Sequence, residues 1–226
     1  FYKDGNVVPE LTNKFVNVKN IIGGTYNRGF IYLLNSFGKI YKYNLYGTDS
    51  LPQMIKKHNN IIQTSTSDIG TYLLDMYGNV YVESSTFPII TNIKKMFSDS
   101  ESFIFLDKNN DLYGYGVNDH DKFLFNKKLI HEPTKLNNFS DIKYVFMRNA
   151  RLITVSDDYV VSVSGIYKRT YQINPSVKIE ELGEELYILD KDGILSIFSL
   201  KHLLEIKKFT DVKDFMVNGN YLTMLL

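Results

Sequence analysis

The chain contains 226 residues, of which 44% are hydrophobic and 23% are charged, a balance typical of globular proteins. Its 26 basic and 25 acidic residues give a formal net charge of +1, so overall charge indicates no attraction to nucleic acid or to an anionic membrane. The absence of cysteine excludes disulfides, cysteine–zinc sites and thiol catalysis, and no apolar run approaches the roughly 18 residues of a membrane span.

An internal repeat runs along the chain. Residues 20–41 and 60–81 align without a gap, and both contain Asn-Ile-Ile, then Tyr-Leu-Leu, then Gly and a final Tyr. Weaker copies of this unit, about 38 residues long, follow toward the C-terminus. Each copy has an apolar run, a polar turn and an alternating strand, which is typical of a β-hairpin whose first strand is buried on both faces. The turns are predicted at Gly5, Gly38, Gly78, Asn110, Tyr159 and Gly193.

Two further landmarks accompany the hairpins. A Val/Ile-Lys pair precedes most of them, and we interpret its lysine as an exposed residue on a buried strand; a functional ring of lysines is the alternative. The pairs are Val18-Lys19, Ile93-Lys94, Ile142-Lys143, Val177-Lys178 and Val212-Lys213, and the copy near residue 60 lacks the lysine. One proline lies before each of the first five copies, which places it at an outer edge or a link between units. These prolines are Pro9, Pro52, Pro88, Pro133 and Pro175.

The repeat predicts an all-β fold, a β-propeller of about six short blades in one domain. The predicted units are approximately 9–50, 51–86, 87–131, 132–171, 172–203 and 204–226 completed by 1–8. The last unit stops where a turn is due, and residues 2–8 offer the missing turn and strand. Strands from both termini would therefore share one blade and close the ring, which removes an exposed sheet edge. An open solenoid of β-hairpins is the rival fold, and only residues 199–208 could form even a short helix.

The repeat resembles the regulator-of-chromosome-condensation repeat. The resemblance is carried by residues 18–24, 31–34 and 38–41, and most closely by residues 107–118, where a turn, a strand, Gly116 and the following Asn118 fit the family pattern. It covers nearly the whole chain and implies a propeller. Members of the family act as exchange factors for a Ran-type small GTPase, as chromatin-docking modules, as enzyme inhibitors and as protein-binding platforms.

The chain also departs from that family. Residues 121–125 stand in place of its Gly-Gln-Leu-Gly segment, and the histidine usual in the preceding strand is absent. The six predicted blades are shorter than the family norm and one fewer than its usual seven. The resemblance therefore transfers the architecture, and no functional residue of the family maps onto this chain.

Few residues suggest chemistry. The four histidines lack metal-ligand spacing, and Asp119-His120-Asp121 is interpreted as a solvated loop. The acidic residues of segment 107–111 fall at a hairpin turn and lack the glycine and distal glutamate of a calcium loop. Glu180-Glu181 and Glu184-Glu185 are interpreted as a solvated connection. No phosphate-binding loop or nucleophile elbow is present, so we expect no enzyme activity, no cofactor and no metal.

The densest group of basic and aromatic residues lies in or beside the fourth unit. Because arginine and tyrosine are favoured at interfaces, this group is the predicted protein-binding surface, with an ordinary charged rim as the alternative. Its members are Arg148, Arg151, Tyr167, Lys168 and Arg169. Tyr41, Tyr81 and Tyr113 occupy equivalent repeat positions, and we interpret them as packing between blades.

The leading hypothesis is a non-enzymatic protein–protein interaction module or scaffold. Guanine-nucleotide exchange on a small GTPase is the first alternative, and a carbohydrate- or ligand-binding propeller is the second. The expected partner is another protein, such as a small GTPase or a host protein, bound by a monomeric propeller without a membrane span or a strong nucleic-acid signal. The abundance of Lys, Asn, Ile and Tyr is typical of AT-rich genomes, and a cytoplasmic or nuclear location is favoured over secretion.

Deleting residues 1–8 should lower the melting temperature of the whole protein by more than about 5 °C, because the deletion removes the strand that closes the ring. Thermal unfolding followed by circular dichroism measures this change. An unchanged melting temperature in the truncated protein would contradict the predicted closure.

Overall fold

The computed structural model describes residues 2–3, 6–7, 18–25, 29–44, 51–55, 57–148, 151–202, 204–218 and 221–226. These residues form 24 β-strands and one short 3-10 helix, Asp119–Asp121, so the predicted all-β class is confirmed. Within this part of the chain, no helix has the length and hydropathy needed to cross a membrane. The chain divides into two compact units, each larger than the repeats predicted above. From here on, the first unit is residues 1–108 and the second unit is residues 109–226.

The first unit consists of antiparallel strands paired in chain order. Strand β1 (Tyr2–Lys3) pairs with β2 (Asn6–Val7). One four-stranded sheet contains β3 (Val18–Thr25), β4 (Phe30–Asn35), β5 (Ile40–Asn44) and β6 (Gln53–Met54). The next contains β7 (Ile61–Ser67), β8 (Gly70–Asp75), β9 (Val80–Val82) and β10 (Pro88–Ile90). Strand β11 (Ile93–Ser98) then pairs with β12 (Ser102–Asp107).

The second unit repeats this arrangement. Strand β13 (Leu112–Val117) pairs with β14 (Leu129–Lys135). One sheet contains β15 (Ile142–Arg148), β16 (Arg151–Ser156), β17 (Val160–Gly165) and β18 (Arg169–Gln172). The next contains β19 (Ser176–Leu182), β20 (Glu185–Asp190), β21 (Leu195–Ser199) and β22 (Leu204–Phe209). Strand β23 (Asp214–Asn218) pairs with β24 (Tyr221–Leu225).

An Asn or Asp side chain caps the turn between the second and third strands in three of the sheets, and Ser156 takes this position in the sheet of β15–β18. Asp75 Oδ1 accepts hydrogen bonds from the backbone N–H groups two and four residues later, at 3.0 and 2.8 Å. Asn35 and Asp190 accept the equivalent pairs of bonds at 2.9 to 3.0 Å. Asx caps of this kind hold the backbone in a tight turn, so one short polar residue ends each of these strands.

The residue three positions after the cap has a positive φ, which lets the strand reverse direction. The φ angles are 71° at Gly38, 96° at Gly78, 68° at Asn110, 61° at Tyr159 and 76° at Gly193. Five of the predicted turn positions are thus confirmed, and Gly5 lies outside the described residues.

The same turns bond to the next strand pair along the chain. Ile93 N–H donates to the carbonyl oxygen of Gly78 at 2.9 Å, and Val212 N–H donates to that of Gly193 at 2.9 Å. Both acceptors are the positive-φ residues, and both donors are fully buried. Each turn therefore fixes where the following strand begins.

A β-bulge explains the exposed lysines. In the first strand of each sheet, and in β11, one residue near the start is left out of the pairing and is exposed to solvent. The bulged residues are Lys19, Ile62, Lys94, Lys143 and Val177. The landmark at Val177-Lys178 is therefore out of step by one residue, because Ser176 is the buried, paired residue there and Lys178 is partly buried.

Four of the five prolines lie at outer strands or at links, as predicted, and Pro9 lies outside the described residues. Pro88 is in β10 and Pro133 is in β14, each the last strand of its set, whereas Pro52 precedes β6 and Pro175 precedes β19. Strands β6 and β10 pair with the strands before them, so the sheets end later than the predicted units do. Residues 204–209 form strand β22, so the short helix considered for residues 199–208 is wrong.

The second strands of four hairpins, β8, β12, β16 and β20, form much of the core. Every residue of β12 is buried, and so are five of the six residues in β8, β16 and β20. Side chains from both sides pack against β20: Leu186 belongs to one cluster with Ile153, and Leu189 belongs to another with Val212. Burial of each such side chain stabilises the fold by about 1.5–3 kcal/mol, which accounts for the consecutive apolar runs.

Ring closure and the single-domain organisation stay predictions. Strands β1 and β2 pair with each other, and so do β23 and β24. Asp4, Gly5 and Val8, which belong to the proposed closing segment, lie outside the described residues.

Gly78→Ala should destabilise the protein by about 2–4 kcal/mol, and Gly38→Ala by about 1–2 kcal/mol. Both residues occupy the positive-φ position of a turn. A Cβ on Gly78 would lie 2.8 Å from the carbonyl oxygen of Ile93, whereas one on Gly38 would lie 3.6 Å from its nearest neighbour, Asn60 Oδ1. Urea unfolding measures the difference, and equal losses for the two variants would show that the contact with Ile93 is unimportant.

Candidate functional site

Two of the three predicted arginines, Arg148 and Arg151, form ion pairs within the protein. Arg151 is only 8% exposed; its guanidinium bonds Glu184 Oε2 at 2.7 Å and the carbonyl oxygen of Gly183 at 2.8 Å. Arg148 lies 3.8 Å from Glu181. These contacts join the sheet of β15–β18 to the sheet of β19–β22. The expectation that this acidic segment is a solvated connection is wrong for Glu181, whose side chain is 9% exposed, whereas the Glu184 side chain is 62% exposed.

Glu181 shows the electrostatic effect of this arrangement. Its side chain is largely buried, and burial raises the pKa of its carboxyl group, while the positive charges of Arg148 and Arg151 oppose the rise. The two arginines thus stabilise the negative charge of the Glu181 carboxylate, which is largely shielded from solvent.

The other predicted residues differ in exposure. The Arg151 guanidinium lies 6.0 Å from the centre of the Tyr167 ring, and Lys168 forms an ion pair with Asp121 at 2.9 Å. Arg169 begins strand β18 and is exposed. The fold brings Arg151 and Tyr167 together, but a role of these residues in partner binding stays a prediction.

Asn118 organises the loop that replaces the Gly-Gln-Leu-Gly segment. Its amide group donates to the carbonyl oxygens of Phe125 and Lys127, both at 2.8 Å, and its Oδ1 accepts from Phe123 N–H at 2.7 Å. His120 has a φ of 53° in this loop. Within the described part of the chain, no group of three His, Asp or Glu side chains could hold a metal ion.

The repeat-equivalent tyrosines are partly buried. Tyr81 packs against the His58 ring with centroids 4.9 Å apart, and its hydroxyl donates to Asp75 Oδ2 at 3.3 Å. The tyrosine thereby braces the capping residue of its own turn. Tyr41 and Tyr113 are partly buried at the matching positions.

A cleft of about 410 Å³ opens between the sheet of β3–β6 and the sheet of β7–β10. Among its lining residues, Lys42 Nζ lies 3.0 Å from Glu83 Oε1, and the hydroxyl of the buried Tyr32 donates to Glu83 Oε2 at 2.8 Å. Lys42 also lies 4.3 Å from the centre of the Phe30 ring. Because Glu83 is bonded by both neighbours, this cluster fastens one sheet to the next.

Exposed apolar side chains gather at the turns of the first unit. Phe37 and Tyr77 are the corner residues, two positions after the caps, and are 74% and 63% exposed. Met76 precedes Tyr77 and is 57% exposed, while the bulged Ile62 is 50% exposed. We call these four residues the turn surface.

Hydrogen bonds connect the segments that carry this surface. Lys39 Nζ donates to Asn59 Oδ1 at 2.7 Å, and Met76 N–H donates to the carbonyl oxygen of Asn60 at 2.9 Å. Lys108 Nζ donates to the carbonyl oxygen of Tyr77 at 2.9 Å. The turn of β4–β5, the start of β7 and the turn of β8–β9 therefore lie side by side.

The matching turns of the second unit are charged. Asp157 and Asp158 occupy the two positions after Ser156, and Lys191 and Asp192 follow the cap Asp190. The fold thus accepts charged residues at the corner, and the apolar residues of the first unit are not required for packing. Two features of the sequence could have predicted this exposed apolar surface. Ile62 stands where the other repeats have an exposed lysine or valine, and Phe37 and Tyr77 lie beside the predicted turns.

Comparison with solved structures decides the architecture. Prp20p from Saccharomyces cerevisiae, described with its binding properties to Gsp1p and histones, matches with a TM-score of 0.54, 14% identity, and 76% of this chain covered. Human WBSCR16 matches with a TM-score of 0.55, 13% identity and 76% coverage. The chain has a β-propeller fold. The resemblance inferred from the sequence is confirmed at the level of the fold.

The propeller fold is shared beyond these two proteins. Hsv2 from Kluyveromyces lactis matches with a TM-score of 0.51 and 9% identity over 83% of this chain and 63% of its own. The present propeller chain spans 56% of the Prp20p structure and 59% of the WBSCR16 structure. No protein-family model and no curated protein sequence matches it.

Arg151→Ala should destabilise the propeller by about 2 kcal/mol, because it removes two charge-assisted hydrogen bonds from a buried position. Arg169→Ala is the matched control; its side chain is exposed, and the change should stay within about 0.5 kcal/mol. Chemical unfolding compares the two variants. Equal stabilities would show that Arg151 is not a structural link.

Proposed function

We propose that this propeller is a non-enzymatic protein-interaction module and that the turn surface of the first unit contacts its partner. The observation that carries the proposal is the exposure of Phe37, Ile62, Met76 and Tyr77 on one set of adjoining turns. Contiguous exposed apolar side chains are costly in water and commonly mark contact surfaces.

The geometry of the corner supports a functional origin for these residues. The backbone N–H groups of Phe37 and Tyr77 bond the cap side chains Asn35 and Asp75, whereas their own side chains are exposed. The equivalent position is Asp158 or Asp192 in the second unit. Since the turn forms with a charged corner, stability does not explain an aromatic one. Aromatic side chains supply much of the energy at protein interfaces.

Contact with a small GTPase is a second candidate for the partner. Its support is the fold shared with Prp20p, a protein described with binding properties to Gsp1p and histones. A propeller can serve many functions, so this candidate depends on the partner that the surface selects.

Photo-crosslinking tests the proposal. We expect p-benzoylphenylalanine in place of Phe37 to trap a protein from cells of the source organism, and the same probe in place of Asp192 to trap none. The purified partner should then bind the wild-type propeller at least about tenfold more tightly than the Phe37→Ser/Tyr77→Ser variant, because the anchor side chains are lost. Fluorescence anisotropy or calorimetry measures the affinities.

The control is Asp158→Ser/Asp192→Ser, which changes the matching corners of the second unit. Equal weakening by both double variants, or no weakening by either, would contradict the assigned surface. If the trapped partner is a small GTPase, release of a fluorescent nucleotide distinguishes an exchange factor from a simple binding module.

A further inference from the structure

We infer that the turn surface binds an acidic segment that carries apolar side chains, an inference that rests on the proposed function. Two lysines flank the apolar side chains. Lys39 follows the corner residue Phe37 by two positions, and Lys108 reaches the backbone of Tyr77. Both lysines are exposed.

The charges of these lysines are not neutralised by the contacts they make. Lys39 donates to the amide oxygen of Asn59, and Lys108 donates to a backbone carbonyl. Both acceptors are neutral. A third lysine, Lys19, is exposed at the bulge of β3, beside the turn that carries Phe37. The apolar side chains are therefore bordered by positive charge.

The exposed carboxylates of the first unit lie elsewhere, as far as the structure describes them. Asp75 and Asp107 are buried at the turns, and Asp75 serves as the cap. Asp68 and Glu101 are exposed, but they lie between the first and second strands of their sheets, at the opposite end from the turn surface. A basic segment would thus meet positive charge here, and an acidic one would meet complementary charge.

The second unit shows that this charge pattern is not a general property of the turns. The corner residues of its β16–β17 and β20–β21 turns are Asp158 and Asp192, so these two positions are acidic. The combination of apolar corners and flanking lysines is a property of the first unit. It predicts a ligand in which aromatic or aliphatic side chains alternate with Asp and Glu.

Three synthetic peptides test this inference by fluorescence anisotropy against the whole chain. The first combines Leu and Phe with Asp and Glu, the second replaces its acids with Lys, and the third replaces its apolar residues with Ser. The first should bind at least about tenfold more tightly than either of the others, and its affinity should fall as salt is raised, because exposed charges are screened.

Charge reversal identifies the lysines. Lys39→Glu/Lys108→Glu should weaken the acidic peptide at least about tenfold and strengthen the lysine peptide. Lys39→Gln/Lys108→Gln should show a smaller effect in the same direction and guards against local disruption of the turn. Lys191→Glu, at a turn of the second unit, is the control and should leave the affinity unchanged. Thermal unfolding confirms that each variant is folded.

The outcomes separate this inference from the function on which it rests. If Phe37→Ser/Tyr77→Ser abolishes binding of the trapped partner but charge reversal changes nothing, the surface is an interaction site and the acidic specificity is wrong. If no peptide binds and sedimentation shows self-association that Phe37→Ser/Tyr77→Ser removes, a second copy of the chain is the occupant and the inference is overturned. If the trapped partner binds the Phe37→Ser/Tyr77→Ser variant as tightly as the wild type, the proposed function is wrong, and the inference that rests on it is wrong as well.

Discussion

The capped turn is the interaction on which the described structure depends. One carboxylate or amide oxygen, as in Asp75, bonds two backbone N–H groups and holds the chain in position for a residue with positive φ. The carbonyl oxygen of that residue, Gly78, then accepts the first hydrogen bond of the next strand pair, from Ile93. A single local motif therefore ends one strand, starts the next and sets the position of the following pair.

This constraint also explains why the outer corners of the turns are free to vary. The backbone of the corner residue is bonded to the cap, while its side chain faces solvent and packs against little. Apolar corners such as Phe37 and acidic corners such as Asp192 are compatible with the same turn. The core strands cannot vary in this way, because a lost methylene in a packed interior costs about 1 kcal/mol. Differences between the units therefore accumulate at the corners, where a changed side chain leaves the fold unaltered.

Ion pairs add a second level of connection between neighbouring sheets. Lys42 and Glu83 link the first two sheets, and Arg151 and Glu184 link two sheets of the second unit. Their partners are separated by more than thirty residues in the chain. Composition gave no indication of these pairs, since a balanced chain can keep its charges apart in water. The basic and aromatic group predicted as a contact surface is, at Arg151, part of this internal bonding.

Local chemistry allowed the fold class to be predicted from the sequence. Turn residues such as Gly38 and Gly78, and apolar runs at a regular spacing, specify hairpins because backbone conformation and strand burial depend on nearby residues. Only the tertiary structure decided three other features: the one-residue shift of the landmark to Ser176, the partners of the outer strands and the ion pair of Arg151. These features depend on which distant residue lies opposite, and a one-residue slip in a strand exchanges its buried and exposed faces. Sequence alone thus determined the repeating hairpin, and tertiary packing determined its register, its ion pairs and the surface left exposed.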